Sequence, residues 1–128
     1  MPQPAHLKLR IELERGHLGP GKIELLENIV CHGSLAAAAR AMQMSYKRAW
    51  ELLAATNEIF NEPVAVSLPG RNTEGSTQLT PLGERVIVLY RTVERRAAQA
   101  TTAAMREISE AGRPARPAVR RSQAQKKR

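Results

Sequence analysis

With 128 residues and a formal net charge of +8, the chain is long enough for one domain with a core and too short for two full-sized ones. Seven Lys and Arg and no acidic residue fall in 113–128, so the body is nearly balanced and the basicity belongs mostly to the tail. One cysteine excludes an internal disulfide, 3% aromatic residues argue against a stacking platform for single strands, and no apolar run approaches the ~20 residues of a membrane span.

From the N-terminus, Leu7, Leu9, Ile11 and Leu13 alternate with Lys8, Arg10, Glu12 and Glu14, the period of a half-buried strand. Gly19, Pro20 and Gly21 break the chain, and Pro20 suits the first turn of a helix. Ile23, Leu26, Ile29 and Val30 continue at helical spacing to Gly33, which reads as the stop, with Ser34 as the next cap. A short alanine-rich helix follows over 35–42. Gln43 and Met44 make a turn, and Ser45 caps a third helix from Tyr46 to about Phe60. On a helical wheel Ala49, Leu52, Leu53, Thr56, Ile59 and Phe60 form a core arc, while Lys47, Arg48, Glu51, Ala54, Ala55 and Glu58 lie opposite. Tyr46 and Trp50 sit at the border, and Trp50 is expected in the core.

After Pro63, the segments Val64 to Leu68 and Thr77 to Leu79 read as two strands of a hairpin whose tip contains Pro69, Gly70, Arg71, Asn72 and Gly75. A hairpin directly after such a helix is a wing. Thr80 and Pro81 open a helix expected to run through 81–111, striped by Leu82, Val86, Leu89, Val93, Ala97, Ala100, Ala104 and Ile108. Its own globule is too small to cover that stripe, which predicts a homodimer. The tail over 113–128 is too poor in apolar residues for a core and is expected to be disordered.

Two helices joined by a short turn, the second opening with a hydroxyl cap and then cations, are the pattern of a helix-turn-helix that meets base edges and phosphates. Arg48 suits a bidentate grip on guanine, and Lys47 suits phosphate. Ser45 serves as cap, with its helix end facing phosphate as a compatible second role. Tyr46 divides between core and contact, and Arg71 and Asn72 at the wing tip are candidate backbone or minor-groove contacts. Cys31 and His32 adjoin but lack further ligands at metal-site spacing, so Cys31 reads as core and no metal or other cofactor is expected. With no Asp, and with its three His confined to His6, His17 and His32, the chain offers no catalytic constellation.

The stretch GSLAAAARAMQMSYKRAW over 33–50, above all Ala37-Ala38-Ala39-Arg40 followed by Met44-Ser45-Tyr46-Lys47-Arg48-Ala49-Trp50, resembles the N-terminal DNA-binding domain of molybdate-responsive regulators of the ModE type. The resemblance extends over roughly residues 7–96. It implies a winged helix-turn-helix of the kind found in LysR-type regulators, with Ser45, Tyr46, Lys47 and Arg48 in the major groove and the long helix as an antiparallel dimer seam. The wing departs from the glycine-rich family pattern, and the chain ends where the family's molybdate-binding domains would begin. Molybdate binding is therefore not carried over from the resemblance.

The expectation is a mainly α chain with a small β wing: a winged helix-turn-helix domain over 1–112, including a dimerisation helix over 81–111, and a basic tail over 113–128. Its partners would be double-stranded DNA and a second copy, without a membrane or a small-molecule domain in this chain, in the cytoplasm at the nucleoid. Two alternatives compete with a sequence-specific transcription regulator. One is an architectural nucleoid protein with little sequence preference, and the other is an interaction module whose long helix docks a separate sensor chain.

Overall fold

A computed structural model describes residues 4–68 and 75–113. The chain divides into two units, Lys8–Arg96 and Met1–Leu7 with Ala97–Arg128. The first unit runs β1 (Ile11–Leu13), β2 (Gly16–Leu18), α1 (Pro20–His32), α2 (Leu35–Ala41), α3 (Tyr46–Ile59), β3 (Ala65–Leu68), β4 (Ser76–Leu79) and most of α4 (Pro81–Ala100).

The alternation ahead of the first helix yields a short hairpin rather than one long strand. Ile11 pairs with Leu18 and Leu13 with Gly16, so Glu14 and Arg15 form the loop. That dipeptide carries no turn signature, and Gly16-His17-Leu18 is too short to show a period, which is why the return strand is illegible in the sequence. Gly16 adopts φ 155°, and a Cβ there would stand 3.0 Å from Ile59 Cγ1 on α3. The backbone conformation favours glycine here, and any Cβ would also need the Ile59 side chain to give way by a few tenths of an ångström.

Helix α1 supplies the centre of the core, with Ile23, Leu25 and Leu26 fully buried and Ile29 nearly so. It ends at Gly33, in the left-handed region at φ 84°, whose amide donates to Ile29 O at 2.8 Å. The Ser34 hydroxyl then accepts from Ala37 N at 3.0 Å and starts α2. Ala38, Ala39 and Ala49 are buried in the same core cluster, so α2 and α3 approach closely. Between them Gln43 N donates to Arg40 O and Met44 N donates to Ala39 O, each at 3.0 Å. These two bonds define a Schellman closure. Its left-handed position is held by Gln43 at φ 57°, the only described residue other than glycine with positive φ. The Ser45 hydroxyl accepts from Arg48 N at 3.1 Å and caps α3.

Strands β3 and β4 pair antiparallel, Ala65 with Leu79 through Leu68 with Ser76. The hairpin is tied to the α1–α2 junction by Thr77, whose amide donates to Gly33 O and whose hydroxyl accepts from Leu35 N, both at 3.1 Å. The entry to α4 is tighter still. Thr80 N donates to Val64 O at 2.9 Å, the Thr80 hydroxyl donates to Pro63 O at 2.8 Å, and Gly83 N donates back to that hydroxyl at 3.0 Å. A Cβ on Gly83 would collide with the Val64 carbonyl oxygen. Only glycine lets the helix pass.

Further along α4, Tyr90 is buried, and its hydroxyl donates to Leu9 O at 2.7 Å. Burial, reinforced by nearby Glu94, pushes the phenol above its ordinary pKa. Next to it Arg91 grips Glu27 of α1 through two bonds of 2.9 and 2.7 Å and reaches Glu94 at 2.7 Å. Donating to the carboxylates of Glu27 and then Glu94 holds the guanidinium pKa above its already high ordinary value. With about a third of each side chain in the Arg91–Glu27 pair exposed, the pair contributes orientation more than stability, on the order of 1 kcal/mol or less.

The segment expected as one helix over 81–111 forms two, α4 and then α5 (Thr102–Ala111), interrupted at Thr101 with φ −115° and ψ 14°. The Thr101 hydroxyl donates to Ala97 O at 2.7 Å and the Thr102 hydroxyl to Gln99 O at 3.1 Å. Adjacent threonines bonding back to the preceding turn compete with the helical ladder and disturb it. In this second unit, Ala5 N donates to Ser109 Oγ at 3.2 Å. The expected tail, apart from Arg113, and residues 69–74 of the expected wing tip lie outside the described residues.

Two pairs of substitutions test this packing by chemical denaturation. Gly83→Ala should lose about 1–3 kcal/mol or more through overpacking against Val64. Gly21→Ala, at a helical position with open space around it, should gain about 0.5–1 kcal/mol. Equal stability in these two variants would contradict the α4 entry geometry. At the inter-helix turn, Gln43→Gly should gain about 0.5–1 kcal/mol by removing the left-handed strain, whereas Gln43→Val should lose stability. A loss with glycine would mean that the turn is not closed in this way.

Candidate nucleic-acid interface

Helix α3 is split between an anchored and an open side. Ala49 and Thr56 are fully buried and Ile59 nearly so, and the Thr56 hydroxyl donates to Leu52 O at 2.7 Å, disposing of its polar group within the helix. Leu52, Leu53 and Phe60 pack against the core from partly buried positions. The core arc expected from the sequence therefore docks the helix. Its first turn points outward: Ser45, Tyr46, Lys47 and Arg48 are consecutive and all exposed.

The first turn of α3 contains no acidic residue, so nothing there offsets the positive end of the helix dipole. The Lys47 side chain is 83% exposed and lies 3.8 Å from Glu51. A pair so open and so long is worth little and leaves the ammonium free to move to a stronger anion. No side-chain hydrogen bond or ion pair holds Arg48 among the described residues; its backbone amide alone is engaged, by the Ser45 cap. The arrangement presents two exposed cations and a phenol from a helix start closed by the Schellman turn and the serine cap.

Trp50 departs from expectation. It is 56% exposed, as is Tyr46 one turn before it. Its hydrophobicity suggested the core, but its wheel position at the border, beside buried Ala49, already allowed the outward direction. The two aromatic residues line a groove of about 190 Å³ with Leu35, Leu53, Ala54, Asn57, Ala65 and Ser67. The groove lies between α3, β3 and Leu35 at the start of α2. Asn57 is positioned there because its Oδ1 accepts from Val64 N at 2.7 Å. Ser67 and Asn57 escaped sequence reasoning because nothing in their local pattern marks them. Arg71 and Asn72 lie outside the described residues.

The residues expected at a dimer seam are not brought onto one free face. Val86 is buried in the core of its own unit, and Leu82 packs against that core. The stripe overestimated the free surface because the first two turns of α4 cover β3, β4 and α1 residues in the same core cluster. Leu89 and Val93 remain 47% and 45% exposed, with Val88 exposed beside them. Ala97 is half-buried, and Ala100 and Ala104 are exposed. Cys31, expected in the core, is also exposed, since it falls on the outer side of the last turn of α1 next to exposed Val30 and His32. Among the described residues no helix is long and apolar enough to cross a membrane.

No protein-family model matches the chain. Individual proteins do. It is 39% identical over 77 residues to the molybdenum transport protein ModE of Azotobacter vinelandii, covering 60% of this chain and 28% of that protein. Over 86 residues it is 38% identical to the molybdenum-pterin-binding protein MopB of Rhodobacter capsulatus, covering 66% and 32% respectively. It is 32% identical over 71 residues to the DNA-binding transcriptional dual regulator ModE of Escherichia coli K12, covering 56% and 27%. The matched part thus spans about a third or less of the length of these relatives, and the similarity to ModE regulators and Mop proteins is confined to that portion.

Proposed function

We propose that the chain is a DNA-binding transcription regulator, a winged helix-turn-helix protein that reads duplex DNA through the start of α3. The observation that carries this reading is the exposed turn Ser45–Arg48, capped by its own serine and set on a helix whose other side is buried. The relationship to ModE regulators supports it. Arg48 grips a guanine edge and Lys47 meets phosphate, while Ser45 and the helix end approach a second phosphate. Arg71 and Asn72 extend the contact from the wing tip. The cations of residues 113–128 add sequence-independent attraction.

The protein acts as a homodimer. Leu89 and Val93 are apolar, a turn apart and uncovered in the first unit, and Ala97, Ala100 and Ala104 continue the seam. Two-fold symmetry then places two α3 starts on half-sites one helical turn, about 34–36 Å, or a multiple apart.

Footprinting on sheared genomic DNA with excess competitor tests the reading. A few protected sites with two-fold symmetry are expected. Arg48→Ala should lower discrimination between specific and competitor DNA by about 1–3 kcal/mol. Truncation after Gly112 should weaken all DNA alike and flatten the salt dependence by up to about six log units per log unit of salt. Uniform protection that collapses with salt, unchanged by Arg48→Ala, would instead establish an architectural protein acting through its tail. Sedimentation of Leu89→Glu/Val93→Glu should show monomer where the unsubstituted chain is dimeric. An unchanged dimer would place the seam elsewhere.

A further inference from the structure

We propose that the pocket between the start of α1, the β1–β2 hairpin and α3 binds a tetrahedral oxyanion of the phosphate class. Lys22 is its central ligand, with the first amides of α1, His17 and Arg10 around it. The inference stands apart from the DNA-binding reading, because the same chemistry takes a free phosphate ion or a phosphate of a duplex backbone.

Lys22 carries the argument. Lysine is almost never buried unless it is paired, yet this residue is only 8% exposed. Among the described residues no carboxylate forms an ion pair with it. Its one polar contact there is His17 Nε2 at 3.4 Å. An ammonium has three donors and a neutral imidazole nitrogen accepts one, so the charge keeps open donors and has no counter-ion. Burial, and then the charge on Arg10, lower its pKa below the ordinary lysine value. An anion beside it would relieve both causes.

The surroundings supply the rest of such a site. The pocket, about 220 Å³, is lined by Lys22 with Arg10, His17, residues 19–21 and Leu52, and no acidic side chain lines it. Arg10 is exposed and gives its Nε to Glu12 at 2.7 Å; its two terminal nitrogens have no partner among the described residues. At the helix start, Gly19 brings no side-chain cap, Pro20 has no N–H, and the first turn holds no acidic residue. The amides of Gly21 and Lys22 donate to no acceptor among the described residues. These open donors and the positive end of the helix dipole face the pocket that Lys22 lines, and both favour an anion. Pro20 and Leu52 are apolar walls, which weakens screening by water. The volume falls below the roughly 300–1,000 Å³ of small-molecule sites, so it suits an ion rather than a nucleotide. Leu52 lies one turn after Arg48 on the same side of α3, which makes a backbone phosphate one source of that ion.

The amide shifts of Gly21 and Lys22 report on the site directly. The full chain is titrated with inorganic phosphate at constant ionic strength, and separately with its footprinted duplex. Phosphate should move both amides saturably, and Lys22→Met should weaken that binding about tenfold or more, the value of a charge-assisted hydrogen bond. Arg10→Gln, at an exposed position, should weaken it less and leave the fold intact. Movement of both amides by the duplex, with a salt slope lower by about 0.9 in Lys22→Met, would support the site with the DNA backbone as its source. Movement by phosphate alone would support it with a free ion as its source. Amides unmoved by either ligand would overturn the inference, as would a phosphate response that Lys22→Met leaves unchanged. Those results leave DNA recognition standing wherever the duplex still moves residues 45–51. Failure to bind any duplex would instead remove the DNA-binding reading, and the phosphate titration would decide the site alone. That titration needs no variant, so a folding defect in Lys22→Met could not mask an unoccupied site.

Discussion

Close packing through small residues is the constraint on which the rest of the structure depends. Ala38, Ala39 and Ala49 have almost no exposed surface, and they let α2 and α3 approach until a turn of only a few residues can join them. At the other end of the unit, Gly83 lets α4 pass over the Val64 carbonyl. Between these two contacts α3 and the β3–β4 hairpin pack against the same core. Larger residues at either place would cost about 1–3 kcal/mol each, and they would also move the first turn of α3. The first turn of α3 thus owes its position to small residues buried beneath it.

Polar satisfaction then decides which groups stay available. Serine and threonine hydroxyls cap α2, α3 and α4 from Ser34, Ser45 and Thr80. Thr56 returns its hydroxyl to Leu52 O, and Asn57 is used on Val64 N. Arg91 is fully engaged by Glu27 and Glu94. Among the described residues Lys47 is only weakly engaged and no side-chain bond holds Arg48. Charges left open in this way are available to phosphates and base edges.

Much of this was legible in the sequence. The helix starts at Pro20, Ser34, Ser45 and Pro81 follow from cap chemistry and proline geometry, and the stop at Gly33 follows from its left-handed backbone. Both wing strands fall within a residue or so of the alternating segments. Illegibility had local causes. The β1–β2 loop lacks a turn signature, and paired threonines at 101 and 102 interrupt a helix that hydropathy alone would continue. Hydrophobicity placed Trp50 inward, although its helical position beside Ala49 turns it out. It also placed Val86 on a free seam, although the core of its own unit takes it. A stripe on a wheel shows which side of a helix is apolar and not what covers it.

The central claim is that the first turn of α3 is the surface that meets DNA. Amide chemical-shift mapping of the full chain against a duplex carrying its protected site tests it most directly. The account predicts the largest perturbations over residues 45–51, with smaller ones in the wing. Perturbations confined to residues 113–128, with 45–51 unmoved, would contradict it.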